Sequence, residues 1–251
     1  MRGCVLWTVL AVGGSQPAST PERAPRVVLW AWEHPQDLGF LASFAGNVGI
    51  AYLAATLRVG PDGVALVPRR QPMRVAPGTP LTAVVRLEPA RGLRALGPAE
   101  RDRLVDIVRG VARMPGVSAV QLDCDAPRSF RAAYAALLGS IRAALPPSVG
   151  LSMTALASWC MFDDWLDSAV LPVDDAVPMV FSMGREGKQI RARLSGGQDF
   201  LARRCQQSLG LATYEPAFPV PRARRLYLFH DGSWTAEVLA HALVRFGRRD
   251  P

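Results

Sequence analysis

Short apolar runs alternate along the chain with longer segments of helical spacing. VVLWAWEH (27–34) is an apolar run with a polar end and predicts a first strand. PQDLGFLASFAG offers a short helix, and GIAYLAATLRV (49–59) predicts a second strand. GPDG then marks a tight turn and VALVPR pairs back as a hairpin, so this crossover is not an ordinary helix. QPMRVAPGTP reads as a loop and LTAVVRLEP (81–89) as a third strand. Gly97-Pro98-Ala99-Glu100 opens a helix, with proline early and an acid in the first turn. Leu104, Ile107, Val108 and Val111 recur along it at helical spacing.

VSAVQLDCDA (117–126) predicts a fourth strand. Ser129 is placed to cap the next helix, whose apolar face is Tyr134, Leu137, Leu138 and Ile141. LSMTALASW (151–159) predicts a fifth strand, followed by a short helix over Asp163 to Ser168. DDAVPMVFSMG (174–184) predicts a sixth, with Pro178 marking a bulge. A Gly/Ser/basic loop and a helix near Gln198 to Gln207 lead to a seventh strand, SLGLATYEP (208–216). RRLYLFHD (224–231) is the eighth. TAEVLAHALVRFG closes the chain as a helix capped by Ser233 or Thr235.

Eight short apolar strands, mostly separated by helices, predict an α/β protein: a single (β/α)8 TIM-like barrel over 25–251, with a β-hairpin replacing the helix after strand 2. A doubly wound open sheet is the alternative, but no Gly-rich phosphate loop follows the first strand. The length of 251 residues suits one barrel.

Composition changes this picture little. The chain is 49% hydrophobic and carries a net charge of +8. The charge is nearly all arginine, Lys188 being the one lysine. The arginines are scattered and not interleaved with aromatics, so no nucleic-acid partner is expected. The four cysteines show no metal spacing; buried free thiols are the expectation, with a Cys160–Cys205 disulfide as the alternative. Residues 1–24 read as a leader: Arg2, then an apolar run from Cys4 to Val12, then small and polar residues. The expectation is export to the periplasm or envelope, or a cytoplasmic protein if the leader is spurious. Membrane contact would come only through the leader or a lipid anchor at Cys4. Oligomeric state is not legible.

In such barrels the chemistry sits where strands end. Strand alternation puts Gln121, Asp123 and Asp125 on one face of the fourth strand. Arg86 and Glu88 share a face of the third. These residues predict a polar cluster at the mouth, in which close carboxylates raise one another's pKa and a neighbouring Arg lowers it. The same cluster could instead only fix packing. Glycosidases need two acids across the scissile bond. Asp125 and Glu215, at the ends of strands 4 and 7, are the expected pair, with Asp123 in support. Trp30, Trp32, Tyr52 and Trp159 offer flat faces for sugar rings, with Tyr214 beside Glu215. Core packing is the alternative for each Trp. The histidines lack HxxH or HExxH spacing, so no metal is expected, and no cofactor motif appears.

VQLDCDAP, LSMTALASWC, DDAVPMVFSMG and GLATYEP, with VVLWAWEHPQDLGFL and GIAYLAATL, resemble an uncharacterised bacterial family. It is the domain-of-unknown-function 3142 family, grouped by resemblance with glycoside-hydrolase-like TIM barrels. The resemblance implies that fold but no established activity. VQLDCDAP is also similar to the D-x-D-x-E end of chitinase-like barrels. Asp123 and Asp125 match the aspartates, while Pro127 stands where the acid Glu would be. Two functions remain open: hydrolysis of a bacterial polysaccharide, or carbohydrate binding without cleavage.

Overall fold

The computed structural model describes residues 25–44, 46–168, 171–217, 221 and 224–248. The leader, with Cys4, lies outside them. The chain opens with β1 (Val27–Ala31), β2 (Gln36–Leu38), β3 (Val48–Gly60), β4 (Gly63–Pro68), β5 (Met73–Val75) and β6 (Leu81–Pro89). Next come α1 (Pro98–Ala112), β7 (Val117–Asp123), α2 (Arg131–Ala144), β8 (Gly150–Leu156), α3 (Ala157–Phe162) and α4 (Trp165–Ser168). It ends with β9 (Asp175–Met179), α5 (Gly187–Ser195), β10 (Ser208–Ala212), β11 (Arg225–Phe229) and α6 (Ala236–Arg245).

β1 pairs in parallel with both β3 and β11, which closes the ring β1-β3-β6-β7-β8-β9-β10-β11. The fold is therefore a (β/α)8 barrel. Strand alternation gives it two cores. Inward residues such as Val28, Trp30, Leu53, Val84, Val177, Tyr227 and Phe229 fill the ring. Outward residues such as Leu29, Ile50, Val85 and Leu122 pack beneath the helices. α2 buries Tyr134, Leu137, Leu138 and Ile141, as the spacing predicted. Each such aliphatic side chain contributes about 1.5–3 kcal/mol of burial energy.

The hairpin after strand 2 forms as expected. β3 and β4 pair antiparallel from Ala55↔Pro68 to Gly60↔Gly63. Gly63 has φ +95°, which a side chain would resist.

Several local expectations are corrected. PQDLGFLASFAG forms β2 and a 3-10 turn rather than a helix, and β2 pairs with β5 inside the segment read as a loop. The helix between β9 and β10 is α5, on the segment read as a loop. It stops at Gly196-Gly197, and 198–207 is irregular apart from a 3-10 turn at Arg203–Cys205. Leu201 is exposed there while Phe200 and Ala202 are buried, an alternation that does not suit a helix. Pro178 sits in register with Ala155 on β8 without a bulge; β9 meets β10 only at Gly210↔Met179. Ser129 lies inside a 3-10 turn and caps nothing, whereas Thr235 accepts from Val238 N at 3.2 Å and caps α6. The expected free thiols are also corrected: Cys160 on α3 is disulfide-bonded to Cys205, and Cys124 alone among the described cysteines is free.

Candidate active site

β7 delivers Asp123 to the C-terminal mouth of the barrel, in register with Arg86 on β6. Arg86 Nη1 lies 3.6 Å from Asp123 Oδ2, and its Nε donates to Glu88 Oε1 at 3.2 Å. Glu88 also takes Arg58 Nε at 3.2 Å. Thr154 on β8 donates its hydroxyl to Asp123 Oδ1 at 2.8 Å. Asp123 is only 7% exposed. Burial pushes its carboxyl above the usual range, against the lowering influence of Thr154 and Arg86, and the charges of Asp125 and Glu88 push the same way as burial. Asp125, two residues on, is exposed and stands on the same wall. Cys124 between them is buried on the opposite, helix-facing side.

The raised carboxyl has a stability consequence with a definite sign. The native state holds this proton to higher pH than the unfolded chain does. Stability is therefore lost as pH rises from the unfolded value through the folded one. Asp123→Asn should gain stability relative to wild type on going from pH 4 to pH 7. Parallel urea melts at the two pH values test this; a difference that moves the other way sinks it.

Beside the acids lies a cavity of about 410 Å³. Its floor is aromatic. Trp30 stacks on Phe229 with centroids 4.5 Å apart, Phe181 meets Phe229 at 4.5 Å and Trp32 meets Trp30 at 5.4 Å. Arg86, Asp123 and Asp125 line one wall, and Ser182, Gly184 and Glu186 line the rim. Trp30 is almost fully buried, and its Nε1 meets no acceptor among the described residues. A smaller hollow of about 240 Å³, lined by Glu88, Pro89 and Pro127, shares Arg86, Asp123 and Asp125 with it.

Trp32 follows the end of β1 and is positioned by the hairpin. Arg69, just past β4, donates to Trp32 O at 2.8 Å and to His34 O at 2.6 Å. Arg70 N donates to Glu33 Oε1 at 2.9 Å.

The expected residues divide. Trp30, Trp32, Arg86, Asp123 and Asp125 come together at the cavity, with Glu88 in the adjoining hollow. Tyr52 does not: it is buried outside the ring, its hydroxyl 3.8 Å from Met114 Sδ. Trp159 does not either. The fifth strand ends at Leu156, so Trp159 belongs to α3 and is buried against Trp165, with the Arg131 guanidinium 5.1 Å from its ring. Tyr214 and Glu215 lie in a turn after β10, and neither lines the cavity. Tyr214 is half exposed. Glu215 is ion-paired with Arg191 and accepts from Ser182 N at 2.6 Å. Ser182 has φ +49°, a conformation costly for a side chain, and Glu215 braces it. The strand-7 half of the expected acid pair is thus engaged outside the cavity lining.

The lining and bracing residues not singled out from the sequence are Thr154, Phe229, Glu186 and Arg69. Thr154 and Phe229 had a signal, since both alternate inward near strand ends. Glu186 had none, because its loop position says nothing of the cavity. Among the described residues no group of three or more His, Cys, Asp or Glu is placed to hold a metal.

No family model matches the chain, and no curated protein matches it. Among solved structures it is similar to a chitinase from Rhizomucor miehei, at 13% identity and a TM-score of 0.48, over 74% of this chain and 68% of that one. The fold rests on the closure of the chain's own sheet: eight parallel strands in a ring, with the candidate site at their C-terminal ends.

Proposed function

We propose that the protein is a glycoside-hydrolase-like barrel that binds a carbohydrate at its mouth and hydrolyses a glycosidic bond. The observation that carries this is an aromatic floor directly beside an acid wall. Flat apolar rings suit the C–H faces of a sugar, and adjacent carboxyls suit its hydroxyls and glycosidic oxygen. Asp125 is the proton donor in this reading. Glu186, which lines the same cavity, takes the place of Glu215 as the second carboxylate. Asp123 and Arg86 set the charge around Asp125. The motifs quoted above support membership of the domain-of-unknown-function 3142 family, and a bacterial polysaccharide as substrate. The buried Cys160–Cys205 pair suits an oxidising compartment, which supports export.

Binding without cleavage is the second reading. It is favoured by Pro127 in place of a Glu and by the engagement of Glu215 with Arg191. A screen of glycans and aryl glycosides, scored for both binding and bond cleavage, separates the two. Cleavage supports the first reading, binding alone the second, and neither refutes both.

Within either reading Trp32→Ala should weaken glycan binding about tenfold, through loss of apolar contact worth roughly 1–2 kcal/mol. Tyr52→Phe should leave it unchanged, since Tyr52 is outside the ring. Calorimetric titration of both variants checks this; equal losses would contradict the assignment.

A further inference from the structure

The open space of the mouth continues past the acids. The mouth cavity shares Arg86, Asp123 and Asp125 with the hollow of about 240 Å³ beside it. That hollow in turn shares Glu88 and Pro89 with a third cavity, of about 470 Å³, at the tip of the β3–β4 hairpin. The three follow β6 in order. The mouth touches Arg86, the hollow Arg86 to Pro89, and the hairpin cavity Glu88 to Ala90. A strand rises about 3.3 Å per residue, so Arg86 to Ala90 covers about 13 Å, longer than one sugar ring. The aromatic floor lies on the other side of Arg86, so the acids have open space in both directions.

Small residues keep the hairpin cavity open. Arg58 pairs with Ala65 and Gly60 with Gly63, which puts these four on one face of the hairpin. Of the four, only Arg58 has a side chain larger than a methyl group. Its Nε donates to Glu88, the residue opposite it on β6. Glu88 also accepts from Arg86, so ion pairs run from the hairpin to Asp123. Arg58 is exposed and Glu88 half-buried, and such groups suit sugar hydroxyls. A run of space along one strand, with a flat floor at one end, matches a straight and flat ligand. Sugars joined through equatorial bonds form such a ribbon, whereas axially joined sugars coil.

Resting on the carbohydrate reading of the mouth, we propose that the hairpin is a further glycan-binding platform. The ligand is then a straight chain of equatorially linked sugars, laid from the aromatic floor across the acids to the hairpin.

The test is calorimetric titration of the full chain with cello- and chito-oligosaccharides, from disaccharide to hexasaccharide, with malto-oligosaccharides as the axially linked control. Affinity should rise about tenfold along at least one equatorial ladder. In amide NMR the hexasaccharide, unlike the disaccharide, should shift Gly60, Gly63 and Ala65. Ala65→Leu, which fills the hairpin cavity, should bring the hexasaccharide down to the affinity of the disaccharide. Affinity that does not grow with length, tighter binding of the malto ladder, hairpin amides that stay in place or a length dependence that survives Ala65→Leu each overturns the proposal and leaves the carbohydrate reading standing. So does failure of both equatorial ladders when another glycan binds. Failure of every glycan overturns both. The wild-type titrations decide the matter even if the variant does not fold.

Discussion

Asp125→Asn is expected to lower the rate of glycoside cleavage by about 10²–10⁴-fold, the usual contribution of a positioned proton donor. Binding should stay within a few-fold, because the amide keeps the shape and polarity of the carboxyl. The choice of Asp125 over Asp123 follows from their surroundings. Asp123 is buried and already engaged by Thr154 and Arg86. Asp125 is exposed on the cavity wall, where a leaving oxygen can reach it. Glu186→Gln should show a comparable rate loss. Glu215→Gln should act only through the Ser182 turn, and its effect should appear in substrate affinity as well as in rate. Undiminished cleavage by Asp125→Asn, measured on the substrate found in the screen, would remove this residue from the chemistry.

Loss of the Cys160–Cys205 bond is the other large effect. The two cysteines are 45 residues apart. Chain-entropy arguments for a loop of that size give about 4 kcal/mol of stabilisation. Both cysteines are fully buried, and Leu201 N and Ala202 N donate to Cys160 O at 3.0 and 3.2 Å, so the bond anchors a segment with little regular structure. Cys160→Ala/Cys205→Ala should therefore lower the unfolding free energy by about 4 kcal/mol and Tm by roughly 10 °C. Urea melts should show a lower midpoint and a somewhat steeper slope, because the unfolded chain is less compact without the crosslink. A loss below about 1 kcal/mol would mean that the bond adds no useful constraint. The bond also touches the site, since α3 begins with Ala157 and Ser158 on the cavity.

The barrel was legible because its strands are short apolar runs and its long helices keep a clean periodicity. Leu104 and Val108 on α1 and Leu138 and Ile141 on α2 are all buried as their spacing requires. The second half was less legible. α5 has only Gly187 and Ile190 buried, too few to leave a periodic trace. Strand ends were read too long by several residues, and that error placed Trp159 and Glu215 wrongly. A residue two or three positions beyond a strand is no longer governed by alternation, and its direction is set by the next turn. The Arg86–Asp123 wall was read correctly because both residues lie within strands, where alternation holds. The aromatic floor was half read. Trp30 stood out, whereas its partner Phe229 looked like one more apolar residue in an apolar strand.

The floor of the cavity also bears on the order of events in folding. Trp30 comes from the first strand and Phe229 from the last, and Trp234 Nε1 donates to Trp30 O at 2.9 Å across 204 residues. Contacts between such distant parts of a chain are slow to form and come late. A growing polypeptide emerges from its N-terminus, so β1 must wait for β11 before its inner face is covered. The carboxylate wall on β6 and β7 needs no such wait. The two halves of the site therefore mature at different times, and the aromatic half exists only in a chain that has been made through its last strand.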